Sequence, residues 1–339
     1  MKLIENPFLG QGLNDVSLAG IPMPSVEAAA PRALLARCPE AGATPLVALG
    51  PFAGAGAVFV KDERARMGLG SFKALGAAYV IASEAAAGRA AGQVFVCASA
   101  GNHGLSVAAG AQAFKARAVI YLSRAVPEAF AERLRARGAE VRRVEGSYEQ
   151  SMEAAAKAAQ EEGFTLLSDS SWEGYTDYPH RLMEGYLVMA AEAGEAMAEP
   201  PTHIFLQAGV GGLAAACAAY FRKIWGAGVQ IVVVEPEAAP ALKDCIAAGR
   251  FVAASGPQSC MGRLDCKEAS LIALNGLARD ASAFMTISEA QSVAALQPLA
   301  DVGLETTPSG GAGLAGLMSL APLGPEARVL CIVSEGPEA

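Results

Sequence analysis

Short runs of β-branched and aromatic residues alternate along this chain with Ala-rich segments of helical length. The run at 118–123, AVIYLS, precedes a segment in which Pro127 and Gly138 stand where a helix begins and ends. Strands that alternate with helices in this way form βαβ units, whose strands are mostly parallel. The pattern therefore predicts an α/β protein, with its clearest strands at 58–60, 93–99, 118–123, 202–207, 230–237 and 327–334.

The composition excludes several classes of protein and partner. Of the 339 residues, 53% are hydrophobic and 18% are charged, which is enough for a sizeable core and excludes a disordered chain. The net charge is −8, from 26 basic and 34 acidic residues, and lysine and arginine form no block. We therefore expect neither nucleic acid nor an anionic membrane surface as the main partner.

Two uncharged segments, 41–60 and 204–221, are not predicted to span a membrane. Prolines and glycines interrupt the first, and Gln207 with three glycines interrupts the second. The N-terminal residues contain no apolar stretch of signal-peptide length, so we expect a cytoplasmic protein. The seven cysteines are few and scattered, which predicts free thiols rather than a disulfide scaffold.

Three loops that follow predicted strands carry unusual chemistry, and the first is 68–73. It ends on Lys73 at the start of a predicted helix. A lysine in the first turn is disfavoured by the helix dipole, so its position needs a reason. Either Lys73 is an ordinary solvated lysine, or it lies in an apolar pocket as a nucleophile that forms a Schiff base.

The second loop is 99–104, which leaves the predicted strand at 93–99. Its serine and asparagine side chains, with the backbone N–H groups of a helix start, can hold a carboxylate or a phenolate oxygen. The alternative is an ordinary helix cap in which His103 packs in the core.

The third loop, Gly209-Val210-Gly211-Gly212-Leu213, leads from a predicted strand into an Ala-rich helix. Glycines allow close approach, and successive N–H groups at a helix start can hold a phosphate, although any tight strand-to-helix turn is often glycine-rich. No Lys-Ser/Thr pair follows, so this is not a Walker A loop, and no N-terminal G-x-G-x-x-G indicates a Rossmann dehydrogenase. A phosphate cradle, a candidate lysine and an asparagine loop together suggest pyridoxal 5′-phosphate.

The order of these motifs resembles that of the fold-type II pyridoxal-phosphate enzymes, the tryptophan synthase β-like superfamily. Within that superfamily the chain is most similar to the diaminopropionate ammonia-lyase family. The motifs that carry the resemblance are Thr44-Pro45-Leu46, Lys61-Asp62-Glu63, Ser71-Phe72-Lys73, Gly101-Asn102-His103-Gly104, 209–213 and Asp169-Ser170-Ser171-Trp172-Glu173-Gly174-Tyr175. The last of these is absent from threonine dehydratases and serine racemases.

The resemblance implies two α/β domains with the cofactor in the cleft between them. Residues 1–93 and 172–339 would form the large domain, and 94–171 a smaller, mobile one. The resemblance also implies a homodimer, and no metal site is expected.

The resemblance also assigns roles to single residues. Lys73 would bind the cofactor covalently and act in catalysis with Asp169, the candidate base; the alternative is that Asp169 only caps the turn before Trp172. The remaining cofactor residues would be Asn102 at the phenolic oxygen, Gly209, Val210, Gly211, Gly212 and Leu213 at the phosphate, Ser334 at the pyridine nitrogen and Glu305 near the ring. The substrate would contact Ser99, Ala100, Gly101 and His103.

Three positions depart from the related families. The lyases usually have aspartate at position 100, where this chain has Ala100, and dehydratases continue Ser334 with Gly-Gly rather than Glu-Gly. Arg263 either binds a second substrate carboxylate or pairs with Asp265 on a surface loop, and the surface pair is favoured. The departures leave the exact substrate open.

The predicted reaction is α,β-elimination from a β-substituted amino acid such as 2,3-diaminopropionate, which gives a 2-ketoacid and ammonia. Because Ala100 cannot accept a proton, we expect a preference for L-substrates. The alternatives are a serine, threonine or β-hydroxy-amino-acid dehydratase, and a binding protein of the same fold without turnover.

Overall fold

A computed structural model describes residues 2–337, which contain eleven strands and twelve α-helices. The strands are β1 (Lys2–Glu5), β2 (Leu46–Phe52), β3 (Ala55–Asp62), β4 (Val94–Ala98), β5 (Arg117–Ser123), β6 (Glu140–Val144), β7 (Thr165–Leu166), β8 (His203–Gln207), β9 (Gln230–Pro236), β10 (Ala283–Ile287) and β11 (Gly324–Val333). They form one sheet of seven strands and one of four.

The helices follow the strands along the chain as the alternating pattern predicts. They are α1 (Ala29–Leu35), α2 (Lys73–Ala86), α3 (Asn102–Ala113), α4 (Glu128–Arg135), α5 (Tyr148–Glu161), α6 (Asp177–Ala196), α7 (Gly212–Trp225), α8 (Ala241–Ala248), α9 (Leu271–Asp280), α10 (Glu289–Ala294), α11 (Leu296–Asp301) and α12 (Ala312–Met318). None of those described between residues 2 and 337 combines the length and apolar character that a membrane-spanning helix needs.

The larger sheet has the strand order β1-β10-β9-β8-β11-β3-β2. Its five central strands are parallel, and β1 and β2 pair antiparallel at the two edges. Successive side chains of β8 point to opposite faces, so Ile204 and Leu206 pack in one core and Phe205 in another. Both faces are thus covered by helices, which is typical of a parallel sheet.

The smaller sheet has the order β6-β5-β4-β7 and is parallel throughout. Phe95 and Cys97 of β4 face a core shared with α3, and Val96 faces a core shared with α5. The two sheets confirm the predicted α/β class with one mixed and one parallel sheet. All strands of the smaller sheet lie between residues 94 and 166, while the domain boundaries at 93/94 and 171/172 stay a prediction.

A buried network of charges fixes the segment that leads from β3 to α2. Arg66 lies fully buried, with Nε 2.7 Å from Glu63 Oε2 and Nη2 2.6 Å from Glu192 Oε2. Lys61 Nζ lies 2.6 Å from the same Glu192 oxygen. Two positive and two negative groups therefore balance inside the protein, as buried charges require. The network ties this segment, seven residues before Lys73, to α6.

Candidate active site

A cleft of about 460 Å³ is lined by residues from the ends of strands of both sheets. Lys73 begins α2 after β3, Asn102 begins α3 after β4, and the loop 209–213 joins β8 to α7. In parallel sheets, ligands bind where the chain leaves the carboxyl ends of strands. The three loops singled out from the sequence therefore meet in one place.

Lys73 and Asp169 face each other in this cleft. The distance from Lys73 Nζ to Asp169 Oδ2 is 2.5 Å, and the side chains are 21% and 23% exposed. Burial disfavours the charge on Lys73, but the Asp169 carboxylate outweighs it and holds the pKa of Lys73 well above its ordinary value. Burial likewise opposes the charge on Asp169, and the Lys73 ammonium, followed by His103, holds the pKa of Asp169 well below its usual range. Both groups are charged at neutral pH.

The segment 169–175 places the Asp169 carboxylate toward Lys73. The Tyr175 hydroxyl accepts a hydrogen bond from Ser168 N at 3.0 Å and donates one to Leu166 O at 2.8 Å. Trp172 stacks on Tyr175, with ring centroids 4.4 Å apart. The motif that distinguishes the sequence thus holds the backbone directly before Asp169.

Asn102 begins α3 and contacts an acid that sequence analysis did not assign to the site. Its Nδ2 donates to Glu335 Oε2, and Thr307 Oγ1 donates to Glu335 Oε1. Glu335 is buried and borders the cleft next to Ser334, whose N–H donates to Gly310 O at 3.1 Å. Glu335 directly follows Ser334 at the end of β11, and this position in the chain could have predicted that Glu335 belongs to the site.

The structure places Arg263 and Glu305 differently from the sequence-based expectation. Arg263 lines the cleft, with Nε 3.7 Å from Glu335 Oε2, whereas Asp265 pairs with Lys267 at 2.6 Å. The prediction that Arg263 pairs with Asp265 on the surface is therefore wrong. Glu305 has an exposed side chain and does not line the cleft. Glu305 is exposed between the buried residues Leu304 and Thr307, and the acid beside Asn102 is Glu335 instead.

The loop 209–213 forms a cradle of backbone at the start of α7. Gly211 has φ +99°, and a Cβ atom there would lie 2.8 Å from Ala273 Cβ. A Cβ atom at Gly209 would lie 3.0 Å from Cys266 Sγ. At these two positions the backbone thus approaches its neighbours more closely than any side chain would permit. The N–H groups at the start of a helix attract an anion.

The segment 99–103 forms another wall of the cleft and ends on His103. His103 is buried, and its Nε2 lies 2.7 Å from Leu167 O. Burial lowers the pKa of His103, so the ring is neutral at neutral pH. Gly101 N donates to Ser99 Oγ at 3.3 Å, and Ala100 lies between them on the cleft wall. Position 100 therefore presents a methyl group to the cleft.

Unpartnered polar atoms cluster around this cleft. Among residues 2–337, six buried side-chain oxygen or nitrogen atoms lack a hydrogen-bond partner. Four of them belong to residues that line the cleft or lie beside Lys73: Ser71 Oγ, His103 Nδ1, Tyr186 OH and Gln207 Oε1. Buried polar groups are nearly always partnered, so this cluster fits a site that binds a polar molecule. A phosphate-bearing aldehyde cofactor matches both the glycine cradle and the lysine.

Residues from distant parts of the chain complete the cleft. Cys266, Gln207 and Tyr148 border it. Burial raises the pKa of the Cys266 thiol to about 12, so this thiol is protonated. No local sequence pattern marks Cys266 or Tyr148, because loop packing brings them to the cleft. Among residues 2–337 there is no group of three histidine, cysteine, aspartate or glutamate side chains that could hold a metal ion.

Comparison with known proteins agrees with this geometry. Residues 38–335 match the family model "Pyridoxal-phosphate dependent enzyme". The diaminopropionate ammonia-lyase of Salmonella typhimurium is 35% identical over an alignment of 214 residues, which covers 56% of this chain and 53% of that protein. The Escherichia coli enzyme is 33% identical over 277 residues, covering 75% of this chain and 69% of that protein.

A solved structure resembles almost the whole fold. It is the E. coli diaminopropionate ammonia-lyase in complex with an aminoacrylate-PLP azomethine reaction intermediate. It has 27% sequence identity and a TM-score of 0.87, covering 99% of this chain and 93% of that one.

Proposed function

This chain belongs to the family of pyridoxal-phosphate dependent enzymes, and we propose that it is an ammonia-lyase that acts on 2,3-diaminopropionate. The reaction consumes one water and yields the 2-ketoacid pyruvate and two molecules of ammonia. The observation that carries the proposal is the contact of Lys73 Nζ with Asp169 Oδ2 beside the glycine cradle. It joins the cofactor-binding group of the family to an acid from the motif shared with the diaminopropionate lyases.

The residues that would hold the cofactor come from four strand ends. Lys73 would bind it covalently, the N–H groups of 209–213 would bind its phosphate, Asn102 its phenolic oxygen, and Ser334 its pyridine nitrogen. When bound, pyridoxal phosphate supplies an electron sink for the charge that develops at the substrate Cα.

The substrate carboxylate would lie against the loop 99–103. This loop leads into α3, a helix of twelve residues, so its N–H groups and the helix dipole attract a carboxylate. Arg263 borders the same loop, since a Cβ atom at Gly101 would lie 3.3 Å from Arg263 Nε. A positively charged side chain beside the N–H groups strengthens the attraction.

Asp169 and Lys73 would move the protons of the reaction. Asp169 is a carboxylate at neutral pH, so Oδ2 can accept a proton from the substrate Cα or orient the leaving β-amine. Lys73 Nζ is the other candidate base once it is uncharged. The apolar rings of Phe72 and Tyr186 below Lys73 limit water at these atoms.

A ketoacid-release screen tests the function. The purified enzyme with its cofactor would be given the D- and L-isomers of 2,3-diaminopropionate, serine, threonine and hydroxyaspartate. We expect the highest kcat/KM with diaminopropionate. Faster release from the β-hydroxy amino acids would indicate a dehydratase. A cofactor spectrum without ketoacid from any of them would indicate a binding protein.

We expect the L-isomer of diaminopropionate to react faster than the D-isomer. Each face of the substrate Cα needs its own proton acceptor, and the methyl group of Ala100 cannot be one. Steady-state kinetics with both isomers measures the ratio. Ala100→Asp is expected to raise turnover of the D-isomer about tenfold or more. Equal or faster reaction of the D-isomer in the native enzyme contradicts this inference.

We expect Gly211→Asp to weaken cofactor retention about tenfold or more, because a side chain there clashes with Ala273 and a carboxylate repels the phosphate. The cofactor Kd, measured by absorbance, checks the result. Gly226→Asp is the matched control, since Gly226 ends the same helix with φ +71° and has open space around its Cβ position. Unchanged affinity in Gly211→Asp would remove this loop from the cofactor site.

We further propose that 94–171 moves as a small domain that closes the cleft, and that the enzyme is a cytoplasmic homodimer. The cleft between the two sheets supports the first proposal, because closure protects a reactive intermediate from water. Substrate-dependent protection in hydrogen exchange tests closure. Sedimentation equilibrium tests the dimer, and fractionation of the cell tests its location.

A further inference from the structure

Tyr186 lies beneath Lys73, and its buried hydroxyl has no partner at full hydrogen-bond geometry but lies near enough to Lys73 for the ammonium to lower its pKa. Its side chain is 1% exposed, and its ring packs edge-on against Phe72 with centroids 4.9 Å apart. Lys73 Nζ lies 5.8 Å from the centroid of the Tyr186 ring. Tyr186 belongs to α6 and therefore reaches this place from a different part of the chain than Asp169.

Lys73 needs different partners in its two protonation states. An ammonium group has only N–H donors, so the Asp169 carboxylate, which only accepts, fits it. An uncharged amine nitrogen has a lone pair that needs a donor. A carboxylate can accept from the N–H groups of Lys73 in either state, but it cannot supply a donor to the lone pair of the uncharged amine.

The Tyr186 hydroxyl remains a donor throughout the neutral pH range. Burial raises the pKa of Tyr186 to about 12, although the Lys73 ammonium acts in the opposite direction. Asp169, an ionised Tyr186 and an ionised Cys266 each raise the pKa of Lys73, and the Lys73 ammonium in turn lowers the pKa of His103. The Cys266 thiol is protonated but is a weak donor, and His103 contacts Leu167 O through Nε2.

We propose that Tyr186 is the second functional partner of Lys73: its hydroxyl donates a hydrogen bond to Nζ whenever that nitrogen is uncharged, while Asp169 binds the charged form. The inference extends the proposed function, in which Lys73 must alternate between a charged and an uncharged state to attack the cofactor and to move a proton. The neutral Tyr186 hydroxyl therefore favours the reactive form of Lys73, whereas Asp169 and an ionised Tyr186 favour the ammonium.

Acetylation of Lys73 by acetic anhydride measures the uncharged amine directly. The full-length chain without cofactor is labelled between pH 7 and 9, and the Lys73 peptide is quantified by mass spectrometry. We expect Tyr186→Phe to slow this labelling about three- to tenfold, because the uncharged amine loses its donor. We expect Asp169→Asn to speed it, because the ammonium loses its ion pair. The two variants thus shift one reaction in opposite directions.

Two variants serve as controls. Tyr79→Phe removes the same atom from a tyrosine of α2 that lies outside the cleft and is expected to label like the native chain. Ser71→Ala removes the other unpartnered hydroxyl near Lys73 and is expected to do the same. If Ser71→Ala slows labelling and Tyr186→Phe does not, the assignment to Tyr186 is overturned. Unchanged labelling in Tyr186→Phe also overturns it.

Thermal unfolding separates this role from a structural one. Removing a buried hydroxyl that has no partner should leave the melting temperature of the cofactor-free chain unchanged or raise it. A lower melting temperature in Tyr186→Phe would mean that the hydroxyl serves the core, which contradicts the proposal. Failure of the proposed function would show differently: borohydride would fix the cofactor to a peptide without Lys73, whatever the labelling rates are.

Discussion

Lys73→Ala is expected to abolish turnover, lowering kcat by at least about a thousandfold, because Lys73 is the lysine beside Asp169, whereas Lys267, the second lysine of the cleft lining, is bound to Asp265 at 2.6 Å. The fold should be retained, since Lys73 is partly exposed and one such side chain contributes little to stability. Ketoacid release measures the loss, and circular dichroism checks the fold. Borohydride reduction of the native enzyme should fix the cofactor to the peptide that contains Lys73.

Lys73→Arg tests whether turnover depends on the nucleophilic amine of Lys73 or only on its positive charge. Arginine keeps a positive group opposite Asp169, yet its guanidinium does not form the covalent link. We expect the same loss of turnover as in Lys73→Ala. Lys223→Ala is the surface control, because Lys223 lies outside the cleft and pairs with Glu27 at 2.5 Å. Borohydride labelling at a different lysine, or turnover by Lys73→Arg, would contradict the assignment.

Asp169→Asn is expected to lower turnover of L-diaminopropionate about a hundredfold or more while the cofactor stays bound. The change is nearly isosteric but removes the negative charge that accepts a proton or orients the leaving amine. In the cofactor-free chain the Lys73 ammonium holds the pKa of Asp169 well below its usual range, against the effect of burial. Ketoacid release by the cofactor-loaded enzyme measures the loss of turnover.

The cofactor spectrum and a control variant make the Asp169 result specific. Asp177→Asn changes an exposed aspartate eight residues further on, outside the cleft, and should leave kcat unchanged. Near-native turnover in Asp169→Asn would remove Asp169 from the mechanism and leave Lys73 as the base. Loss of the cofactor itself would show that Asp169 supports binding rather than proton transfer.

The fold class followed from the sequence because its periodicity is local. A strand such as β4 is a continuous apolar run, and the helix after it begins at a recognisable turn. The edge strands β1 and β2 were not predicted, and neither was the inner strand β10. The strand β1 pairs with β10, which lies far away in the chain, and β2 pairs with β3 across a turn. Tertiary pairing rather than a local pattern therefore defines these strands.

The candidate site, like the fold, has parts that the sequence predicted and parts that it did not. The sequence by itself determined the loops with Lys73, with Asn102 and with 209–213, because each is a contiguous motif at the end of a strand and the ends of parallel strands meet. Only the tertiary structure decided that Glu335, rather than Glu305, lies beside Asn102, and that Arg263 faces the cleft. It also decided that Tyr186 lies under Lys73. These contacts join residues far apart in the chain, and their positions depend on how helices and loops pack, which no local pattern encodes.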